Sequence, residues 1–216
     1  MKYTFLLILT FGVIAFAFIP TAKSLADSAI QNAESANSAV RDWHGVRVLH
    51  IGDSNLENWG LKGTLRKKFK QAGADYTVSA WKGSSSRSWL RSGRLQRLLQ
   101  KKAPHVVLVN LGTNISKADD PTVYMRFVTS VAMKIAPREC YWVAPPPLID
   151  DEHGFYNMLQ SASKPCIFLD SRRIDFEIPA NRRVFHLDKR QSTVWAEQIW
   201  KWLNEPTVPP ESVDGV

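Results

Sequence analysis

One stretch near the middle of the chain, His105-Val106-Val107-Leu108-Val109-Asn110-Leu111, constrains the fold more than any other. A short, nearly continuous apolar run of this kind is a strand covered on both faces, which makes it a central strand of a parallel sheet. The rest of the chain supplies partners for it. Val46–Ile51, Tyr76–Ala80, Cys140–Ala144 and Cys166–Asp170 read as four more strands. Helical spacing separates them: Leu61, Leu65 and Phe69 within Leu61–Gln71, and Leu90, Leu95, Leu98 and Leu99 within Trp89–Lys101. Further helices are expected from Asp120-Pro121 to Ile135, over Phe155–Ser161, and over Ser192–Asn204 with Trp195, Ile199 and Trp202 on one face. Strands alternating with helices predict an α/β fold: a three-layer α/β/α sandwich around a five-stranded parallel sheet.

A chain of 216 residues, 44% of them hydrophobic, supports one such domain. The domain is expected over residues 43–204. Before it, Lys2, the apolar run from Phe5 to Ile19, Pro20 and the small residues around Ala22 have the order of a secretory signal over residues 1–24. The same uncharged stretch is also just long enough for an uncleaved membrane anchor. Residues 25–42, rich in Ala, Ser, Asn and Gln, suit a spacer, and the Pro-containing residues 205–216 a disordered tail. Export predicts a periplasmic or secreted protein.

The 28 basic residues outnumber the 20 acidic. After loss of Lys2 and Lys23 with the signal, 26 stand against 20 and the charge falls from +8 to +6. That balance suits an anionic polymer or surface, but no nucleic-acid motif accompanies the scattered basic clusters, so no nucleic-acid partner is expected. No cluster of His, Cys and carboxylates has metal-ligand spacing, and neither a metal nor a cofactor is expected. Cys140 and Cys166 begin strands that should be neighbours, so in an oxidising compartment they would be level and within disulfide range. Two reduced buried thiols are the alternative.

Active sites of parallel sheets lie at the carboxyl ends of the strands. Four chemically suggestive pieces fall there: Gly52-Asp53-Ser54 after the first strand, Trp81-Lys82-Gly83-Ser84-Ser85 after the second, Gly112-Thr113-Asn114 after the third, and His186 before the last helix. A serine where a strand becomes a helix sits at unpaired amides, which suits a nucleophile and the oxyanion it generates; alone, the same tripeptide serves equally as a turn with a helix cap. His50, inside the first strand, reads as a satisfied core histidine, whereas His44, His105 and His153 beside element ends read as surface residues.

In order and spacing these four pieces resemble the blocks of the SGNH, or GDSL-type, hydrolase family. The resemblance covers about Val46 to Leu203 and implies a flavodoxin-like arrangement of the sheet and serine-esterase activity. It implies Ser54 as nucleophile, His186 as base, and the Ser54 amide, Gly83 amide and Asn114 side chain as oxyanion donors. Two departures accompany it. Ile115 stands where an Asp often follows the family's Asn, and the position three before His186, usually acidic, is Arg183. Candidates to orient His186 are therefore Asp188, a backbone carbonyl, or a carboxylate of Asp150-Asp151-Glu152. Serine needs a base within hydrogen-bond reach to become a nucleophile, and histidine meets that need.

The function this implies is removal of a small acyl group, acetyl above all, from a carbohydrate or cell-envelope polymer through an acyl-serine intermediate. Short loops after the strands argue against a lipase lid. Transfer of the acyl group to a sugar hydroxyl and a non-catalytic carbohydrate-binding role are the alternatives. The protein is expected to act as a monomer, with membrane contact only if the leading segment stays uncleaved.

Overall fold

The structure, a computed structural model, describes residues 41–116, 118–148, 151, 153–177 and 186–205. The residues read above as a signal segment, most of those read as a spacer and those read as a tail beyond Glu205 lie outside the described residues. Arg41, which the sequence reading puts in the spacer, already touches the domain: it pairs with Glu139, hydrogen-bonds the Tyr141 hydroxyl at 3.0 Å and stacks over Trp43.

Five parallel strands form one sheet: β1 (Arg47–Gly52), β2 (Asp75–Ala80), β3 (Val106–Asn110), β4 (Glu139–Val143) and β5 (Ile167–Leu169). Their spatial order is β2-β1-β3-β4-β5. All five residues of β3 are buried, as its apolar run requires. Alternate residues face opposite layers. Leu49, Ile51, Val107, Val109 and Trp142 point to one face, and Val48, Val106, Leu108, Tyr141 and Val143 to the other.

The first face is covered by α2 (Ser86–Arg91), α3 (Arg94–Lys102), α4 (Met125–Ile135) and α5 (Phe155–Ala162). The second is covered by α1 (Trp59–Gln71) and α6 (Lys189–Asn204), which pack closely on each other. Leu61, Leu65 and Phe69 of α1 meet Trp195, Ala196, Ile199 and Leu203 of α6 in one buried cluster. The order 2-1-3-4-5 reverses direction between β1 and β3, and such a switch point opens a crevice at the carboxyl ends of the strands.

Several boundaries differ from the sequence reading for local reasons. The helix expected over Trp89–Lys101 is two helices, because Gly93 adopts φ +65° and breaks the ladder between α2 and α3. Pro121–Tyr124 winds as a 3₁₀ turn capped by Asp120, and the α-helix begins only at Met125. The last helix starts three residues early, at Lys189, because Asp188 caps it. Ser54 opens a separate 3₁₀ turn, Ser54–Glu57, whose cap is Asp53; α1 begins later, at Trp59, capped by Asn58. The serine therefore faces a single 3₁₀ turn rather than the α-helix terminus that the sequence suggested.

Tyr141 pairs with Ile167 across β4 and β5, which sets Cys140 level with Cys166. The two are disulfide-bonded, with Cα atoms 4.5 Å apart, and both are buried. The bond ties the edge strand β5, which pairs with β4 alone, to the sheet. It closes a loop 26 residues long, for which chain entropy gives about 3–4 kcal/mol of stabilisation. Replacing both cysteines by Ala is thus expected to lower unfolding free energy by about that amount. Urea denaturation of oxidised, reduced and Cys-free protein measures it; equal midpoints for all three would show that β5 does not depend on the bond.

Candidate active site

Gly52 ends β1 where the chain must pass closest to its neighbour. A Cβ there would stand 2.9 Å from the Asn110 carbonyl oxygen and 2.8 Å from Leu56 Cβ, so only glycine fits. That oxygen instead accepts the Asp53 amide at 3.0 Å, and the Gly52 carbonyl accepts the Trp81 amide at 2.9 Å. The ends of β1, β2 and β3 are thereby laced together directly beneath Ser54.

Side-chain hydrogen bonds then join the four sequence blocks in pairs. His186 Nε2 lies 2.8 Å from Ser54 Oγ, across 132 residues of chain. Asn55 Nδ2 donates to Thr113 Oγ1 at 2.7 Å, joining the first block to the third. Asn114 Nδ2 donates to the Ser84 carbonyl at 2.8 Å, joining the third to the second. Asn58 Nδ2 donates to the Leu187 carbonyl at 2.7 Å, fixing the segment just after His186. An amide nitrogen carries two hydrogens, so Asn114 can serve Ser84 and still donate once more. Gly83 sits at φ +71° in the exposed turn after Trp81, and Ser84 beside it is buried, accepting from Trp89 Nε1 at 2.9 Å.

His186, Asn114 and Gly83 are exposed and Ser54 is half-buried, so the site is open to solvent. Ile115, where the family often has Asp, is 2% exposed and belongs to the core beneath the loop. The candidates for orienting His186 divide. The Asp188 carboxylate accepts the Gln191 amide at 2.8 Å as the cap of α6. Arg190 pairs with Glu177 rather than with Asp188. Asp151 accepts the Phe155 amide at 2.6 Å at the start of α5. Asp150, Glu152 and Arg183 lie outside the described residues. Among the described residues, no group of three or more His, Cys, Asp or Glu side chains could hold a metal, and no helix is long and apolar enough to cross a membrane.

Beneath the site lies a polar chain that sequence reasoning found only in part. His50 is completely buried, as a core histidine should be. Its Nδ1 is 2.6 Å from the Tyr76 hydroxyl and its Nε2 bonds Asn110 Oδ1. An amide oxygen can only accept, so Nε2 carries the hydrogen and Nδ1 accepts from tyrosine. Burial lowers the His50 pKa to about 4 and raises that of the Tyr76 hydroxyl, which keeps both groups neutral. The signal for this chain was a lone Asn ending an otherwise apolar strand. Its partners became visible only when the register aligned three strands.

Asp53, next to the serine, is 1% exposed. Its Oδ1 accepts the Asn55 amide at 3.0 Å, and Oδ2 has no partner at hydrogen-bond distance. Burial pushes the carboxyl up to about 6 against the pull of the Asn55, Gly112 and Thr113 groups nearby. His50 and Asp53 therefore act on stability in opposite directions. A His pKa below its unfolded value makes stability fall as pH drops from about 6.5 towards 4. An Asp pKa above its unfolded value makes stability fall as pH rises from about 4 to 6. In the wild type the two slopes nearly cancel. Asp53→Asn, which keeps the cap, is expected to unmask the histidine: unfolding free energy should rise by about 2 kcal/mol between pH 4.5 and 6. Chemical denaturation at the two pH values tests this, and a flat profile in the variant would show that His50 does not titrate as described.

No protein-family profile matches the chain, and no curated protein matches it. Solved structures do. The acetyl xylan esterase AlAXEase is 18% identical, with a TM-score of 0.58 over 73% of this chain and 99% of its own. The psychrotrophic esterase EstA from Pseudoalteromonas sp., in a structure inhibited by monoethylphosphonate, is 20% identical, with a TM-score of 0.54 over 73% and 98%. A mutant of Axe2, an acetyl-xylooligosaccharide esterase from Geobacillus stearothermophilus, is 13% identical, with a TM-score of 0.60 over 76% and 96%. The chain has the SGNH hydrolase fold. These SGNH neighbours share nearly their whole length with it, so the resemblance seen in the four blocks extends to the sheet that carries them.

Proposed function

We propose that this protein is an exported serine esterase that removes a small acyl group, acetyl above all, from a carbohydrate or cell-envelope polymer. The observation that carries the reading is the 2.8 Å contact between His186 Nε2 and Ser54 Oγ on the open, carboxyl-terminal side of the sheet. The esterase and acetyl-xylooligosaccharide esterase neighbours support the reaction class and a saccharide substrate. The leading segment and the basic balance of the chain support an envelope location.

In this mechanism His186 Nε2 takes the Ser54 hydroxyl proton as Oγ attacks the acyl carbon. The tetrahedral oxyanion is received by the Ser54 and Gly83 amides and the remaining Asn114 Nδ2 hydrogen, fixed donors worth several kcal/mol together, on the order of magnitude of other oxyanion holes. His186 then protonates the departing sugar oxygen, leaving an acyl-serine. Water, deprotonated by the same imidazole, attacks that ester and restores the serine. The Asp188 carboxylate is engaged as the cap of α6, which supports a Ser54–His186 dyad over an Asp188 triad, with a backbone carbonyl as the proposed partner of the imidazole.

An open site also admits a sugar hydroxyl in place of water, which makes acyl transfer the second reading. Assaying p-nitrophenyl acetate with and without a saccharide acceptor separates the two; accelerated turnover with an acylated acceptor as product would favour transfer. A wild-type protein inert towards the ester and unlabelled by a serine-directed phosphonate would leave only a binding role. Ser54→Ala and His186→Ala are expected to lose essentially all turnover. Asp188→Asn, which preserves the cap, should lose less than tenfold, against roughly ten-thousandfold for loss of a true triad acid. A thousandfold loss in that variant would make Asp188 the third member.

A further inference from the structure

Trp59, the first residue of α1, is 61% exposed although its indole is among the largest apolar surfaces in the chain. Single exposed apolar residues are common, and exposure alone says little. The helix beneath Trp59, however, is built around the ring. Gly63, one turn further on, is a helix-interior glycine, which costs about 1 kcal/mol relative to Ala. A Cβ at Gly63 would stand 3.2 Å from both Cε2 and Nε1 of Trp59. The missing side chain lets the indole lie along the helix against Gly63 while the residue stays 61% exposed.

The location of this flat ring is set on both sides. Asn58, just before it, holds the Leu187 carbonyl at 2.7 Å. Gly60, just after it, leaves so little room that a Cβ would stand 2.3 Å from the Lys189 carbonyl oxygen. Trp59 is thus clamped between two contacts to the short segment that carries His186, and it follows Ser54 by five residues. The Lys62 ammonium lies 5.9 Å from the ring centroid, at the limit of attraction to the face, and places a hydrogen-bond donor beside the indole.

We infer that Trp59 is the stacking shelf of a saccharide subsite, receiving a pyranose ring of the polymer that bears the scissile ester. One face of such a ring presents several C–H groups, with the hydroxyls at its rim. Those hydrogens complement the negative face of an indole, while Lys62 can donate to a rim hydroxyl. An acyl chain or lipid would call for a continuous apolar patch rather than one ring edged by a lysine. The inference rests on the esterase reading for its substrate.

The test compares acetylated xylo- and chito-oligosaccharides with p-nitrophenyl acetate. In Trp59→Ala the ratio of kcat/KM on the saccharide ester to that on p-nitrophenyl acetate is expected to fall at least fivefold, through KM. Trp59→Tyr should restore most of it. Gly63→Ala should leave the helix at least as stable yet lower the same ratio by tilting the ring. An unchanged ratio in Trp59→Ala, or a wild type that cleaves p-nitrophenyl acetate but no saccharide ester, overturns the shelf and leaves the esterase standing. If the wild type cleaves neither, the esterase reading falls. Saturation-transfer NMR of the deacetylated oligosaccharides then decides the shelf, with a signal lost in Trp59→Ala supporting it and an identical signal refuting it.

Discussion

The close approach of β1 and β3 at their carboxyl ends is the constraint on which the rest depends. At Gly52 the two backbones are too near for any side chain, and the Asn110 carbonyl takes the Asp53 amide. This contact sits at the one place in the sheet where the strand order reverses, so the chain leaves β1 and β3 on opposite sides of a crevice. The serine follows one strand and the Gly-Thr-Asn loop follows the other. Their separation is fixed by backbone hydrogen bonding before any reactive side chain is considered.

Polar groups beneath that crevice are held at some cost. Tyr76, His50 and Asn110 cross three strands inside an otherwise apolar layer, where each would be unfavourable without its neighbour. Among the described residues three buried side-chain atoms have no hydrogen-bond partner, Asn110 Nδ2 at the end of this network, Asp53 Oδ2 beside it, and Ser86 Oγ. A well-packed apolar core could replace such a network at similar stability. The network's position directly under the Ser54 turn gives it a second effect, because it ties β1 to β3 by side chains as well as by backbone.

Among the described residues, the loops above hold one another through polar side chains. Asn114 to Ser84, Asn55 to Thr113, Ser54 to His186 and Asn58 to Leu187 link the four blocks in an open chain of hydrogen bonds beside an exposed centre. The arrangement is held by fixed hydrogen bonds yet stays open to solvent. Asp188 caps a helix instead of reaching the histidine: two residues beyond His186, its side chain meets the unpaired amides of α6 first.

The sheet was legible in the sequence because its central strand is apolar at every position and its helices repeat their leucines at helical spacing. Those patterns report burial directly, and the sequence by itself determined the layers, the strand assignments and the serine-bearing turn. Local caps moved the boundaries of α1, α4 and α6, since a cap's worth depends on where neighbouring elements end. What only the tertiary structure decided was partnership. His50 with Asn110, Asn55 with Thr113 and His186 with Ser54 are separated by 60, 58 and 132 residues. The aromatic shelf likewise needed the seating of Trp59 on Gly63 and the approach of α6 to be seen. Periodicity records which face of an element is buried; it carries no record of which polar atoms meet, because that is set by strand register and helix packing across the whole fold.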